Sequence, residues 1–313
     1  MDKVTVIGAG NVGATCTIFL AFNKIASEVV MLDIKEGVAE GKVMDMLQTT
    51  YSLGFETKIK GVTADYTQTA DSDVIIVTSG IPRKPGMTRD KLIGTNSDIV
   101  RSVVDSCLKY SPNAIFLIIS NPMDTMTYLA LKSSGLPKNQ VFGMGGLLDS
   151  ARFKYYLSQA MNVNPSQVDG TVIGGHGDTT MIPLKRLATY HSVPVSKFLS
   201  AEILDRVVAD TMVGGATLTR LLGTSAWYAP GAAAAYVAQS ILHDYRRVIP
   251  SCVYLDGEYG QTDICIGVPA IIGRKGVEKV ITLDLNNEEK GLFKKSVKAV
   301  RSVNHILEVM NIL

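Results

Sequence analysis

Cysteine is scarce in this chain: Cys16, Cys107, Cys252 and Cys265 are the 4 among 313 residues. None forms a C-x-x-C pair or stands at metal-ligand spacing from a histidine, so neither a disulfide scaffold nor a Cys/His metal module is expected. Each lies in a mostly apolar stretch and reads as a buried, reduced thiol, which places the chain in a reducing cytoplasm. Long apolar runs are missing as well. Every one is broken well short of the roughly 18 residues a membrane helix needs, and the first strand-like run starts at Val4, too early for a signal peptide. Charge of one sign is also lacking. The 31 basic and 29 acidic residues leave a formal charge of +2, which gives no general reason to bind nucleic acid or an anionic membrane. Any attraction for anions must be local. With no internal repeat, low-complexity stretch or Pro/Ser-rich linker, the domains are expected to be packed together rather than tethered.

What is present is a globular composition, 46% hydrophobic, and a length that suits two domains at roughly 150 residues each. Short β-rich runs alternate with helical patterns through the first half: Val4 to Ile7, Glu28 to Leu32, Thr57 to Val62, Asp73 to Thr78, Ala114 to Ile119 and Gln140 to Gly143. Val12, Cys16, Phe19 and Leu20 predict an amphipathic helix, and Ala39, Val43 and Met46 a second. Strand, helix, strand, repeated, predicts a Rossmann-type doubly wound parallel sheet over residues 1–145. Beyond it a long helix, a Gly-rich β segment from Val168 to Leu184, helical stretches over Ala201 to Leu222 and Ala229 to Tyr245, and three β-like runs between Ser251 and Thr282 predict an α+β domain over 146–313. A last helix carries Phe293, Val297, Val300, Val303, Ile306 and Met310 on one stripe.

Gly8-Ala9-Gly10-Asn11-Val12-Gly13 is a G-x-G-x-x-G turn between a predicted strand and a predicted helix, 20 residues before Asp33. Gly8 permits the turn, Gly10 lets the backbone approach a pyrophosphate, and Gly13 lets helix and strand pack closely. Free N–H groups at the helix start suit phosphates, and the Asp33 carboxylate suits a ribose diol. That carboxylate would repel a 2′-phosphate, which favours NAD over NADP; Lys35 argues mildly the other way. The loop Gly80 to Arg89 (GIPRKPGMTR) follows the fourth strand, at the sheet edge where ligands bind, and reads either as a closing anion loop or as a solvated basic loop. Asp149 and Arg152 stand one turn apart, as a site pair or a surface ion pair. His176, among glycines in Gly174-Gly175-His176-Gly177-Asp178, is the candidate base among four histidines, the alternative being a structural role.

Together, the GAGNVG turn with Asp33, the IPRKPGMTR loop, Ser120-Asn121-Pro122-Met123-Asp124, the LDSARF helix start and the GGHGDT loop resemble the lactate/malate dehydrogenase family over essentially the whole chain. The resemblance implies an NAD-dependent hydride transfer at a 2-hydroxy or 2-keto carbon. His176 would be the general acid and base, Asp149 would hold its imidazole, and Arg152 would bind the substrate's C1 carboxylate. Arg89 would polarise the carbonyl, and Asn121 would touch substrate and nicotinamide. Gly8, Ala9, Gly10, Asn11, Val12, Gly13, Asp33, Asn96, Ile119 and Ser120 would line the cofactor. Arg83 occupies the loop position that faces the distal group of the substrate, where lactate enzymes carry an uncharged residue. It implies a dicarboxylate, with (S)-malate oxidised to oxaloacetate; lactate or another 2-hydroxy acid is the alternative. The likeness is greatest to bacterial malate enzymes of the lactate-enzyme architecture, which implies a homo-oligomer, a tetramer rather than a dimer. Two departures, glycine before the histidine in GGHGDT and methionine in NPMD, touch no charge the chemistry needs. An NAD-dependent glycosidase would need a cysteine and a metal beside His176. A non-catalytic NAD-binding scaffold would have no reason to keep Arg83, Arg89, Asp149, Arg152 and His176 together.

Overall fold

A computed structural model describes residues 2–82 and 88–313, and of Arg89 the backbone only. Six parallel strands open the chain: β1 (Lys3–Ile7), β2 (Glu28–Asp33), β3 (Lys58–Thr63), β4 (Val74–Val77), β5 (Ile115–Ile118) and β6 (Val141–Gly143), in the spatial order β3-β2-β1-β4-β5-β6. All residues of β4 and β5 are buried, because helices cover both faces. The edge strand β3 instead alternates, with Lys58 and Lys60 exposed and Ile59 buried, so lysines blunt the free edge.

Connecting these strands are α1 (Asn11–Phe22), α2 (Val38–Gln48), the single turn α3 (Thr50–Leu53), α4 (Arg89–Leu108) and α5 (Met123–Ser134). The second half runs α6 (Gly146–Met161), β7 (Val168–Asp169), β8 (Val172–Gly174), β9 (Met181–Pro183), β10 (Thr189–Tyr190), β11 (Val193–Pro194), α7 (Ala201–Met212), α8 (Gly214–Leu222), α9 (Tyr228–Leu242), β12 (Arg247–Asp256), β13 (Thr262–Gly273), β14 (Gly276–Val280) and α10 (Asn287–Val309). Strands β12, β13 and β14 are antiparallel, and β12 pairs with β6, so the large sheet continues without a break into the second half. Side chains of α1, α2 and α9 share one core with the sheet, joined by Phe293, Val297 and Val300 from the first part of α10; those of α4, α5 and the end of α10, Val303 and Leu307, share another on its opposite face. A third core joins α6, α7 and β7 to β9.

Three sequence expectations change. The helix expected to be amphipathic, α1, is buried on several sides, Thr15, Thr17 and Ala21 included, because α9 lies against it. Closeness explains the small residues there: a Cβ on Gly231 would come within 2.7 Å of the Thr15 side chain. The single helix expected over Ala201 to Leu222 is broken at Val213, ahead of two glycines. On α10, Leu307 is fully buried, whereas Met310 lies beyond the helix and is 41% exposed.

Candidate active site

In an open parallel sheet, loops converge at the carboxyl ends of the strands, where the strand order reverses. Here the reversal falls between β1 and β4. Gly8 leaves β1 with φ of +103°, open to glycine and strained for other residues. A Cβ on Gly13 would overlap the Gly8 carbonyl oxygen, whereas one on Gly10 would meet nothing within 4 Å. The turn is therefore closed behind and open in front. Thr78, at the end of β4, shares its hydroxyl between the carbonyls of Ile7 and Gly8 at 3.0 and 3.1 Å and so clasps the two strands across the crevice.

Asp33 ends β2 half-buried behind this turn. Its Oδ2 accepts the Ala9 N–H at 2.6 Å and its Oδ1 accepts the Lys35 N–H at 2.9 Å. Lys42, on α2, donates to the Ala9 carbonyl at 2.7 Å, a contact that no motif announced. The helix start offers main-chain N–H groups of Asn11 to Gly13 toward a cleft of about 440 Å³. Gly10 to Gly13, Thr78, Gly80, Asn96 and Ile119 to Asn121 line one end of it, and Arg152, His176, Gly215, Thr219, Ser225 and Trp227 the other. Asn96, 1% exposed, is occupied in bracing the wall: it accepts from Ile81 N–H at 2.8 Å and donates to the Asn121 carbonyl at 2.7 Å. Ser120 is buried and donates to the Ser79 carbonyl.

At the far end the first turn of α6 holds Asp149 with only 2% of its side chain exposed. Its Oδ2 lies 2.8 Å from His176 Nδ1, and its Oδ1 accepts from Arg152 Nη1 at 3.2 Å. Burial alone would make the His176 ring harder to protonate, but the carboxylates of Asp149 and Asp124 outweigh it and raise its pKa above 6.5. The Arg152 Nε is buried and has no hydrogen-bond partner among the described residues. Gly214 and Gly215 keep space beside it: a Cβ on Gly215 would stand 3.4 Å from Arg152 Nη1. A guanidinium with an idle, desolvated N–H beside a histidine held by a carboxylate is arranged to grip an anion while a proton moves.

Of the sequence-selected residues, Gly10, Asn11, Val12, Gly13, Asn96, Ile119, Ser120, Asn121, Arg152 and His176 line the cleft, while Gly8, Ala9, Asp33 and Asp149 stand behind them. Arg83 and the Arg89 side chain lie outside the described residues. Thr219, Ser225 and Trp227 went unselected, because their segment carries no motif beyond a glycine pair. Asp124 was seen only as part of a motif.

The sequence matches the family profile of the lactate/malate dehydrogenase NAD-binding domain over residues 2–143 and that of the lactate/malate dehydrogenase α/β C-terminal domain over 147–308. The chain belongs to the lactate/malate dehydrogenase family. A malate dehydrogenase of Parabacteroides distasonis is 66% identical over all 313 residues, with the whole of both chains covered. Among solved structures, the malate dehydrogenase of Salinibacter ruber superposes with a TM-score of 0.94 at 43% identity, covering 99% of this chain and 98% of that one. A lactate dehydrogenase of Cryptosporidium parvum complexed with lactic acid and nicotinamide adenine dinucleotide superposes equally well, TM-score 0.94, at 37% identity and 98% coverage of each. Overall shape thus does not separate the two activities of the family. NAD is its cofactor, and the open turn at Gly10 with free N–H groups on α1 fits a dinucleotide pyrophosphate.

Proposed function

We infer that this chain is an NAD-dependent malate dehydrogenase in which His176 is the general acid and base. The observation that carries the reading is the trio at the cleft end, with one buried carboxylate, Asp149, shared by His176 and by Arg152, whose Nε is left for a ligand. A bound NAD would supply the hydride acceptor for malate oxidation, and NADH the hydride donor for oxaloacetate reduction. The rest falls to the chain. Asp149 takes the Nδ1 proton side of the ring, leaving Nε2 to give a proton to the ketone oxygen or to take one from the alcohol. Arg152 holds the C1 carboxylate in a two-pronged grip that fixes the reacting carbon relative to His176. Arg83 meets the distal carboxylate and Arg89 the reacting oxygen, as the loop motif implies, and Asn121 faces both substrate and cofactor from its exposed position three residues beyond β5.

Malate over lactate is supported by Arg83 in the sequence and by similar relatives named malate dehydrogenase at 66%, 61% and 46% identity. NADH oxidation followed in parallel with oxaloacetate, pyruvate and buffer tests it. Rapid oxidation with oxaloacetate alone is expected; equal or faster turnover of pyruvate would overturn the assignment.

The reading extends to a cofactor domain over 1–145 and a substrate domain over 146–313, with the family profiles meeting between 143 and 147. It also extends to a homo-oligomer, supported by exposed apolar side chains on α2 and α3, Met44, Leu47, Tyr51 and Leu53, with a tetramer rather than a dimer resting on the family resemblance. A cytoplasmic setting is supported by four buried free thiols. Among the described residues no helix is long and apolar enough to cross a membrane. Sedimentation equilibrium tests the oligomer.

A further inference from the structure

Asp124 is a buried carboxyl that the mechanism above leaves without a task. It sits in the first turn of α5, 9% exposed, three residues beyond Asn121. Its Oδ2 accepts the main-chain N–H of His176 at 2.7 Å, across 52 positions of sequence, while its Oδ1 is buried. The His176 loop needs such a grip. It is Gly-Gly-His-Gly, and besides turn bonds within itself it is tied by Ser296 Oγ, which accepts from Gly175 N–H at 2.9 Å, and by Thr180 Oγ1, which donates to the Gly175 carbonyl at 2.9 Å. Among the described residues only Asp124 holds the main chain of the histidine itself.

We propose that Asp124 is a second positioning carboxylate of this site, holding the main chain of His176 while Asp149 holds its ring. The proposal deepens the reading of His176 as proton carrier and rests on it. Mobile glycine backbone on either side would otherwise let the imidazole drift, and proton transfer tolerates little drift. One short segment, Asn121 to Asp124, then sets two groups of the site together: Asn121 at the cleft wall and, through Asp124, the histidine opposite.

A negative charge so close also acts on the ring. The groups facing Asp124 are His176, Asp149 from α6 and the Cys252 thiol from β12; those facing His176 are Asp149, Asp124 and Arg152. Burial pushes the Asp124 carboxyl up to about 6, while the nearby imidazole and the His176 N–H pull it back. The two carboxylates together favour the imidazolium, and removing one lowers the pH at which the ring loses its proton.

The test is Asp124→Asn, which keeps the size and an acceptor oxygen but removes the charge. Expected are a fall in kcat of about tenfold or more, NADH affinity within about threefold of wild type, and a midpoint of the oxaloacetate-reduction pH profile lower by about half a unit or more. Unchanged kcat and midpoint, whether or not thermal stability falls, would show a scaffold role only and overturn the proposal. Should the variant fail to fold, the wild-type enzyme labelled with ¹⁵N-histidine decides. The four histidine amides are few enough to assign, His176 by its absence in His176→Asn. Its amide should lie far downfield, as for a carboxylate-bound N–H, and titrate with the activity midpoint. An amide in the ordinary range, or one indifferent to pH, would overturn the proposal. Failure of the underlying reading is separately visible, as a His176→Asn enzyme that remains fully active.

Discussion

His176 Nδ1 and Asp149 Oδ2 are 2.8 Å apart, and the carboxylate that joins them is almost completely shielded from water. The other oxygen of the same group holds Arg152. In the proposed reading proton transfer and substrate grip therefore depend on one side chain, which is a reason to expect their effects to be coupled rather than additive.

The first consequence is a pH dependence with a definite sign. Because the His176 pKa is held above 6.5, the protonated ring persists to higher pH than an isolated imidazole would. Oxaloacetate reduction, which consumes that proton, should be fast below the raised value and decline as pH rises through it; malate oxidation should do the reverse. The same group contributes stability that is fully present below about 6.5, its unfolded value, and is lost as pH rises through the folded one. In His176→Asn this slope should vanish from the Tm-against-pH curve, NADH should still bind, and kcat should fall by about three decades. Activity within tenfold of wild type would remove His176 from the mechanism.

In the proposed reading Arg83 carries the substrate choice. An extra carboxylate inside a closed site is costly unless a cation meets it, and pyruvate would leave that cation unpaired. Loss of one partner of such a pair costs about 2 to 5 kcal/mol, so Arg83→Gln should reduce kcat/KM for oxaloacetate by roughly 30- to several-thousand-fold while pyruvate gains. Steady-state kinetics on both keto acids at low and high salt check this. A small loss that shrinks with salt and brings no gain for pyruvate would mean that Arg83 only raises the local potential.

Asp33 holds the turn and, in the proposed reading, the cofactor ribose as well. Replacing it by serine together with Ile34→Arg should move preference toward NADPH, since repulsion of a 2′-phosphate goes and a cation arrives at a position 79% exposed. The double variant should also lose stability, by about 1 to 3 kcal/mol, because the Ala9 N–H loses a charged acceptor at 2.6 Å. An unchanged ratio of NADH to NADPH activity would mean that the carboxylate does not face the ribose.

The glycines of the turn should fail differently. At Gly13 a methyl group has no room against the Gly8 carbonyl, so Gly13→Ala should destabilise the fold by about 2 kcal/mol or more. At Gly10 the methyl group points into open space that the pyrophosphate would use, so Gly10→Ala should leave Tm nearly unchanged and weaken NADH binding. Thermal unfolding with and without NADH separates the two. Equal effects of both on Tm would contradict the division of labour.

Much of this molecule is written in short stretches of chain. The apolar runs Val74–Val77 and Ile115–Ile118 announce strands covered on both faces, and the glycine turn before Asn11 announces a helix start with free N–H groups, because turn angles and hydrogen-bond supply are local matters. The break in the helical stretch at Val213 was not legible, since apolar periodicity runs through it. The glycines after the break, Gly214 and Gly215, lie against the Arg152 side chain, a neighbour that tertiary packing supplies.

The sequence by itself determined the doubly wound half, the glycine turn with its acidic partner, and the residue types able to carry a proton and grip an anion. Tertiary structure alone decided which carboxylates meet His176: Asp149, 27 positions away, and Asp124, 52 away. It decided too that Ser296, from the last helix, ties the same loop across 121 positions. Such meetings depend on how β6 pairs with β12 and how α5 and α10 settle against the sheet, α10 contributing to the cores of both faces. Those contacts are set by the burial of whole faces, a property summed over many residues, and no local spacing encodes them.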